Sequence, residues 1–209
     1  MSKPEIRIDV ARLPTFTFGS GNPLWWGNLA FMVIEGTGFI FAIATYLYIY
    51  NHNQNWPLPS YPRTGMPGLL WSSVILGLML LSEIPNIWLK KAAQVADLRK
   101  VRLGLVVMSL IAVLAFVLRG FEFTTMNIRW DDNAYGSIVW FLLGLHTAHI
   151  VSDGAETIVM AVMAHIGPVD MRRFPEIEDN QDYWHFVVFF WIVVYVTIYW
   201  LPRWLEALP

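Results

Sequence analysis

Apolar residues run along this chain in five long segments, each bounded by charged, polar or proline-rich stretches. A helix rises about 1.5 Å per residue, so segments of this length can cross about 30 Å of hydrocarbon. The pattern therefore predicts an all-α fold, a polytopic bundle of five transmembrane helices. The predicted segments are about Leu24–Tyr50, Gly68–Trp88, Arg102–Leu118, Tyr135–His165 and Tyr183–Leu205.

The pattern also predicts the domain organisation. Residues 1–23 are polar and mixed, without the apolar core of a signal peptide, and are expected to be a retained cytoplasmic tail. No internal repeat or low-complexity tract interrupts residues 24–209, which are expected to form one domain. The fourth segment is longer than one crossing requires, so it should tilt or extend beyond the membrane.

Composition supports a membrane location. Of the 209 residues, 56% are hydrophobic and 14% are charged, whereas a soluble domain carries about 25% charged residues. Eleven Trp and thirteen Phe are typical of aromatic belts at membrane interfaces. A net charge of −2 does not indicate a nucleic-acid partner, and the absence of Cys excludes disulfides and thiolate metal ligands.

The distribution of Lys and Arg between the two sides of the membrane predicts the orientation. Ten lie in the tail and in the connections after the second and fourth segments, and four, including Arg119, lie on the other side. This excess predicts a cytoplasmic N-terminus and a C-terminus outside. An odd number of helices requires the same opposition of the two ends.

Glu35 is a candidate for chemistry because it lies in the middle of the first segment, in AFMVIEGTGFIFAI. Gly36 and Gly38 beside it permit close helix approach. Desolvation disfavours the charged form of a carboxyl, which predicts a largely protonated Glu35. Two interpretations stay open: a proton-linked or lipid-facing carboxyl, which the membrane location favours, and a protonated carboxyl bonded to a neighbouring helix.

Four ionisable residues follow one another at 3-4-3 spacing in the fourth segment: His146, His149, Asp153 and Glu156. At about 100° per residue they share about 80° of one helix face. Each charge near the centre of a bilayer costs about 2.5–3.5 kcal/mol, so these side chains need partners or neutralisation. His and carboxylates can bind a metal, but di-metal sites in bundles take carboxylates from several helices. Interhelical hydrogen bonds, or a polar cavity within a larger assembly, are the favoured interpretation.

Other polar residues near segment ends are interpreted as structural. Glu83 and Asn86 lie one turn apart near the end of the second segment, close enough to an interface to reach water. Glu122, Asp131 and Asp132 are expected to be solvated in an outer loop.

The fifth segment opens with a polar and aromatic run. Asp182 is suitably placed as an N-cap. Tyr183 and Trp184 are expected to be interface anchors, and His185 an interfacial hydrogen-bonding residue.

Four motifs, in this order, resemble the subunit III family of haem-copper terminal oxidases, the cytochrome c oxidase subunit III family. The similarity covers about Trp25 to Trp200. The matching stretches are Glu35 in WGNLAFMVIEGTGF; Glu122 in FVLRGFEF; Tyr135-Gly136-Ser137 with Gly144-x-His146-x-x-His149; and Tyr183-Trp184-His185-Phe186-Val187 continuing to Trp191 and Ile198-Tyr199-Trp200, with Glu178 upstream.

The resemblance implies a subunit that binds no haem or copper of its own. Such a subunit packs against catalytic subunit I, and against subunit II or IV, in the bacterial inner membrane. It holds phospholipid and supports assembly and proton uptake, while electrons from cytochrome c reduce oxygen in the neighbouring subunit. The length matches the five-helix form of the family.

Three departures from the family pattern indicate a divergent branch. Val188 stands where the family usually has Asp, the second segment lacks a His pair, and Asp153 and Glu156 replace apolar or small residues. A quinol oxidase or a nitric oxide reductase is therefore an alternative partner complex. A stand-alone membrane metalloenzyme, suggested by the stripe on the fourth segment, is a more remote alternative.

Overall fold

The structure is a computed structural model that describes residues 17–53, 55–58, 66–167 and 173–206. Within these ranges the chain is helical and contains no strand. The helices are α1 (Pro23–Asn51), α2 (Leu69–Gln94), α3 (Leu98–Thr124), α4 (Ala134–Ile166), α5 (Phe174–Tyr195) and α6 (Leu201–Glu206). A π-helical turn, Val196–Trp200, joins α5 to α6, so that Phe174–Leu205 forms one span.

Five of these spans are long and apolar enough to cross a membrane. The predicted all-α fold with five transmembrane helices is therefore confirmed. The orientation of the termini stays a prediction, and most of the predicted tail lies outside the described residues.

Four of the spanning helices, α2 to α5, pack in a closed ring, and α1 lies outside it. Around the ring, α2 packs on α3, α3 on α4, α4 on α5, and α5 on α2. Helix α1 lies against the seam between α4 and α5, where Gly36 allows the Phe190 ring to approach closely. We call the end where α1, α3 and α5 begin the near end, and the end where α2 and α4 begin the far end.

The distribution of side chains is the reverse of that in a soluble bundle. Large apolar residues face outward; Ile34, Phe41 and Ile84, for example, are 68%, 72% and 69% exposed. Charged and polar residues are buried among the helices, including Arg119 and Asp153 at 1% exposure each. Hydrocarbon solvates an apolar outer face, whereas polar groups in a membrane need partners inside the protein.

The second and third helices are longer than the apolar pattern predicted. Helix α2 continues to Gln94 and α3 begins at Leu98, so that only a short turn separates them. The Asp97 side chain caps α3 by accepting a hydrogen bond from the Lys100 N–H at 3.2 Å. The basic residues that suggested a loop therefore lie on helix ends, where long side chains can reach water while the backbone stays helical.

The fifth helix begins at Phe174, well before the predicted start at Tyr183. Pro175 occupies its first turn, a position where proline is favourable, and the acidic residues that follow suit a helix N-terminus. Asp182 therefore lies inside the helix and is not an N-cap; its carboxylate accepts a hydrogen bond from Lys90 Nζ at 2.5 Å. The prediction that Tyr183 and Trp184 are interface anchors was also wrong. Both are buried, and Trp184 Nε1–H donates to Ser82 Oγ at 2.8 Å.

Candidate functional site

The polar residues of α4 belong to two separate clusters. His146 faces the far-end half of the ring, among Arg119, Glu122 and Tyr199, and we call these four residues the arginine cluster. His149 faces Glu35 on α1, next to a cavity at the near end. The stripe therefore divides between His146 and His149, although both belong to one sequence motif.

The arginine cluster is closed around its carboxylate: both Glu122 oxygens have partners, while Arg119 Nε has no hydrogen bond to the described residues. The Arg119 guanidinium donates through Nη1 to Glu122 Oε2 and through Nη2 to His146 Nδ1, the latter at 2.8 Å. The Tyr199 hydroxyl donates to the other Glu122 oxygen. The guanidinium carbon also lies 4.0 Å from the centre of the Trp191 ring, in cation–π contact. Opposite charges and strong donors thus satisfy both carboxylate oxygens inside the bundle.

The expectation that Glu122 is solvated in a loop was wrong. Helix α3 extends to Thr124, and Glu122 is 0% exposed. Arg119 is buried with it, so it is not one of the loop cations on which the orientation was predicted. The i, i+3 spacing of Arg119 and Glu122 was the available signal, since such pairs lie side by side on a helix. Asp131 is exposed and pairs with Arg129, as expected of a loop residue.

Hydrogen bonding specifies the protonation of His146. Arginine can only donate, so Nδ1 of His146 accepts from Arg119, and Nε2–H donates to the Val187 carbonyl at 3.0 Å. The ring is therefore the neutral tautomer with both nitrogens in use. Such a residue orients α4 against α3 and α5 and has no free nitrogen for a metal.

Glu35 lies at a junction of α1, α4 and α5. The Tyr183 hydroxyl donates to Glu35 Oε2 at 2.5 Å, and His149 Nε2 lies 3.4 Å from the same oxygen. The Glu35 side chain is 22% exposed, so it is neither sealed in the bundle nor fully open to lipid. Both contacts come from neighbouring helices, as in the helix-bonded interpretation of Glu35.

The geometry around His149 leaves a place for one proton. Its Nδ1 faces the Leu145 carbonyl at 2.6 Å and must donate there, because a carbonyl only accepts. In the neutral ring Nε2 then carries a lone pair, which points toward a carboxyl oxygen; Nε2 has no hydrogen bond among the described residues. A proton on either Glu35 or His149 Nε2 removes this conflict between two acceptors.

A cavity of about 460 Å³ opens beside Glu35, between α1, α4 and α5. Every charged residue in its wall is acidic, and we call it the acid cavity. Its wall also includes amide, hydroxyl and apolar side chains. The residues are Leu24, Asn28, Phe31, Glu35, Ser152, Asp153, Glu156, Glu176, Asp179, Asn180 and Tyr183.

Asp153 is the most deeply buried carboxylate of this wall, with 1% exposure. Asn180 Nδ2 donates to its Oδ1 at 3.0 Å, and Asn180 Oδ1 in turn accepts from Thr157 Oγ1 at 3.0 Å. Asp153 Oδ2 has no hydrogen-bond partner within the described ranges. Glu156, one turn further along α4, is exposed. Sequence reasoning found both residues but not Asn180, which only the early start of α5 brings next to them.

A further motif residue, Glu178, connects helices at the near end. Glu178 is buried and accepts from Gln94 Nε2 at 2.7 Å and from the Gly19 N–H at 3.1 Å. It therefore holds α2 and the start of the described chain against α5. Gly144, by contrast, faces open space, where an added Cβ would meet nothing within 4 Å.

A second carboxylate–imidazole pair lies between α2 and α5. His185 Nδ1 contacts Glu83 Oε2, and the His185 side chain is largely exposed. Asn86 does not reach water as predicted: it is buried, and it donates to the Gln181 carbonyl at 3.1 Å. This amide links the two helices, in keeping with the structural role expected of it.

No group of three or more His, Asp or Glu side chains in the described part of the chain is arranged to hold a metal ion. His146 and His149 point to different clusters, so they do not converge as ligands. The polar groups instead form a closed ion cluster and an open acidic cavity.

The spans and their buried polar clusters define a multi-pass α-helical membrane protein. Residues 60–203 match the family model described as cytochrome c oxidase subunit III. This match covers more than half of the chain, so the chain belongs to the cytochrome c oxidase subunit III family. The family predicted from the four sequence motifs is thus confirmed, although the matched range begins after Glu35.

Similarity to individual relatives extends over α1 as well. Cytochrome c oxidase subunit 3 of Artemia franciscana is 24% identical over 205 residues, covering 92% of this chain and 76% of the relative. Cytochrome c oxidase subunit 3 of Pylaiella littoralis is 26% identical over 153 residues, covering 73% and 55%. The human protein of the same name is 23% identical over 199 residues, covering 92% and 76%.

Proposed function

We propose that this chain is the non-catalytic subunit III of a haem-copper terminal oxidase that reduces oxygen with electrons from cytochrome c. Haem and copper lie in the partner catalytic subunit I, and subunit II or IV completes the surroundings. Family membership carries this proposal, together with a polar interior in which His146 is fully used in packing contacts. The chain would sit in the bacterial inner membrane with its N-terminus in the cytoplasm.

The Glu35 site is the proposed functional centre of the subunit. One oxygen of the Glu35 carboxyl group is contacted by both the Tyr183 hydroxyl and the His149 imidazole. These groups can bind and release a proton within the membrane without moving a helix. We assign them to proton uptake by the oxidase and to its durability during sustained turnover.

Phospholipid binding is assigned to the near end of α4 and α5. A second cavity, of about 160 Å³, is lined there by apolar residues including Val101, Met160 and Phe174, and by two charged residues, Arg173 and Glu176. Apolar walls suit an acyl chain, and an arginine suits a phosphate group. This combination supports a lipid held against the bundle.

Purification from native membranes tests the proposed complex. The chain carrying an affinity tag is extracted in mild detergent, and haem absorbance and copper content are measured across the elution. We expect both to co-migrate with the chain at a constant ratio to it. A colourless, copper-free chain from membranes that contain active oxidase would contradict the proposal.

One observation favours a different partner complex. Val188 is buried on α5, and the family usually has an acidic residue at this position. A quinol oxidase or a nitric oxide reductase is therefore the second candidate. The haem types of the purified complex, and its activity with reduced cytochrome c against quinol and with oxygen against nitric oxide, separate these candidates.

A further inference from the structure

The acids of the acid cavity form a graded series from the surface inward. Glu176 and Glu156 are exposed, Asp179 and Glu35 are half-buried, and Asp153 is buried. Like-charge repulsion acts on Glu156 from Glu176, and on Asp153 from Glu156. Neighbouring carboxylates in the series repel one another. Binding of a proton to any one of them therefore relieves repulsion on the others.

Asp153 is an unusual member because half of its carboxylate is unpaired. Oδ1 accepts from Asn180, but Oδ2 has no partner among residues that the structure describes, and the side chain borders the cavity. An unpaired buried carboxylate oxygen is costly unless it meets water or takes up a proton. The cavity, at about 460 Å³, has room for several water molecules, each of which needs roughly 30 Å³.

We propose that the acid cavity is a water-filled proton-collecting site in which Asp153 is the inner proton acceptor and supplies the Glu35–His149 pair. This inference rests on the proposed role in proton uptake. The ligand of the acid cavity is water, which also carries the proton to and from the carboxylates. Asp153 lies outside the family motifs, so the cavity gives this chain a proton-binding group that its family resemblance does not include.

A proton fits this arrangement better than a metal ion. A metal needs several oxygen ligands about 2.0–2.6 Å from one point, and no three of the described acidic and His side chains meet in that way. The acids follow the wall instead of surrounding a centre. A proton needs only one oxygen at a time and can move between separated groups through water.

The onward route passes through cavity water from Asp153 to the Glu35–His149 pair. Asp153 acts electrostatically on Tyr183, whose hydroxyl donates to Glu35. A proton leaves cavity water, binds Asp153 Oδ2, returns to water, and is taken up at Glu35 or at His149 Nε2. One O–H or N–H bond forms for each O–H bond broken. The charged and titratable groups facing this route are Glu35, His149, Glu156, Glu176, Asp179 and Tyr183, with Lys90 acting on Asp179 from α2.

Infrared spectroscopy of the full chain, purified in its native complex, tests the site. Difference spectra between acidic and alkaline buffer report the C=O stretch of protonated carboxyls. We expect a band that shifts in D₂O and is lost in Asp153→Asn. Asp131→Asn, which changes an exposed acid at the far end, should retain the band. An unchanged spectrum in Asp153→Asn, or a band that does not shift in D₂O, would overturn the proposal.

Carbodiimide labelling of the wild-type chain gives a second test that needs no variant to fold. An apolar carbodiimide reacts with protonated carboxyls in the membrane, and peptide mass analysis locates the adduct. We expect adducts on Asp153 but not on Glu122, which is equally buried but fully paired. An unlabelled Asp153 would overturn the proposal. Neither test measures haem. If haem and copper are absent from the purified chain, the oxidase assignment fails; if Asp153 takes up no proton, the acid-cavity proposal fails.

Discussion

At the far end, Arg119 and Tyr199 pair both oxygens of the buried Glu122 carboxylate and Arg119 also bonds His146, while Arg119 Nε has no partner among the described residues. At the near end, Asp153 and His149 each retain a polar atom without a partner among the described residues, beside a cavity. Both clusters place ionisable groups within membrane-spanning helices, at a cost that must be compensated. They differ in whether the buried carboxylate is fully paired: both oxygens of Glu122 have partners, whereas Oδ2 of Asp153 has none among the described residues.

This difference separates two uses of buried polar residues. A closed cluster specifies how helices pack, because each group has one arrangement that satisfies it. An open cluster keeps capacity for water and protons, because some of its groups are not fully bonded. Burial and residue type alone do not distinguish a closed cluster from an open one. The hydrogen-bond partners of each polar atom do.

The largest effect is expected from opening the closed cluster. Arg119→Met leaves Glu122 buried without its counter-charge and should lower the free energy of unfolding by about 3–5 kcal/mol. The measurement is denaturant or thermal unfolding of the purified complex in detergent. Arg119→Met with Glu122→Met removes both charges and should recover part of the loss; a double variant no more stable than the single one would contradict the pairing.

A smaller loss is expected where α4 meets the preceding loop. A Cβ at Gly136 would lie 2.2 Å from the Arg129 carbonyl oxygen, so Gly136→Ala must displace backbone. We expect a loss of about 1–3 kcal/mol, as in other overpacked sites. Gly144→Ala is the matched control on the same helix, because nothing lies within 4 Å of its added Cβ. Equal losses in the two variants would show that far-end packing is not as close as described.

Removing the Tyr183 hydroxyl should affect proton handling more than stability. Tyr183→Phe deletes the donor to Glu35 and should cost only about 1 kcal/mol of unfolding free energy, the range of a single hydrogen bond. Under the proposed function, the turnover of the assembled oxidase should fall. Trp184→Phe removes the neighbouring donor to Ser82 and also leaves a cavity at a buried ring, so it should cost more stability without changing turnover. A turnover loss in the Trp184 variant alone would reverse the assignment.

Asp97 provides the smallest expected effect and lies outside both clusters. Its hydrogen bonds from the Lys100 side chain and backbone hold its pKa below the ordinary value of 3.8. The stabilisation is therefore complete above pH 3.8 and is lost as the pH falls through the lower folded-state pKa. Amide-exchange protection at Lys100 should fall in this acidic window. Asp97→Asn keeps an N-cap acceptor without titrating there, so persistence of the pH dependence in that variant would contradict the assignment.

The fold was predictable because a membrane-spanning helix needs a long, uninterrupted apolar segment, which is visible in the sequence. The spans of α1 and α4 agreed with the pattern to within a residue at each end. The ends of α2, α3 and α5 were predicted too short, since charged residues at helix termini resemble loop residues in a hydropathy pattern. Helical backbone is satisfied internally and can continue past the hydrocarbon, whatever the side chains.

The candidate site was predictable in its residues but not in its groupings. Glu35 and the stripe of α4 stand out as ionisable groups in apolar sequence. That His146 joins Arg119 while His149 joins Glu35 depends on which helix packs on each side of α4. Tertiary packing of this kind leaves no local trace in the sequence. The loop prediction for Glu122 has a different cause, because the third helix was predicted to end at Leu118 and instead continues to Thr124.

One measurement tests the contrast between the clusters most directly: turnover per haem, together with the abundance of assembled complex, in Glu35→Gln and Glu122→Gln. Both changes replace one carboxyl group on a spanning helix with an uncharged amide of similar size. We predict that Glu35→Gln leaves abundance near wild type but lowers sustained turnover per haem, and that Glu122→Gln lowers abundance while each assembled complex turns over normally. The reverse pattern, or the same pattern in both variants, would contradict the account.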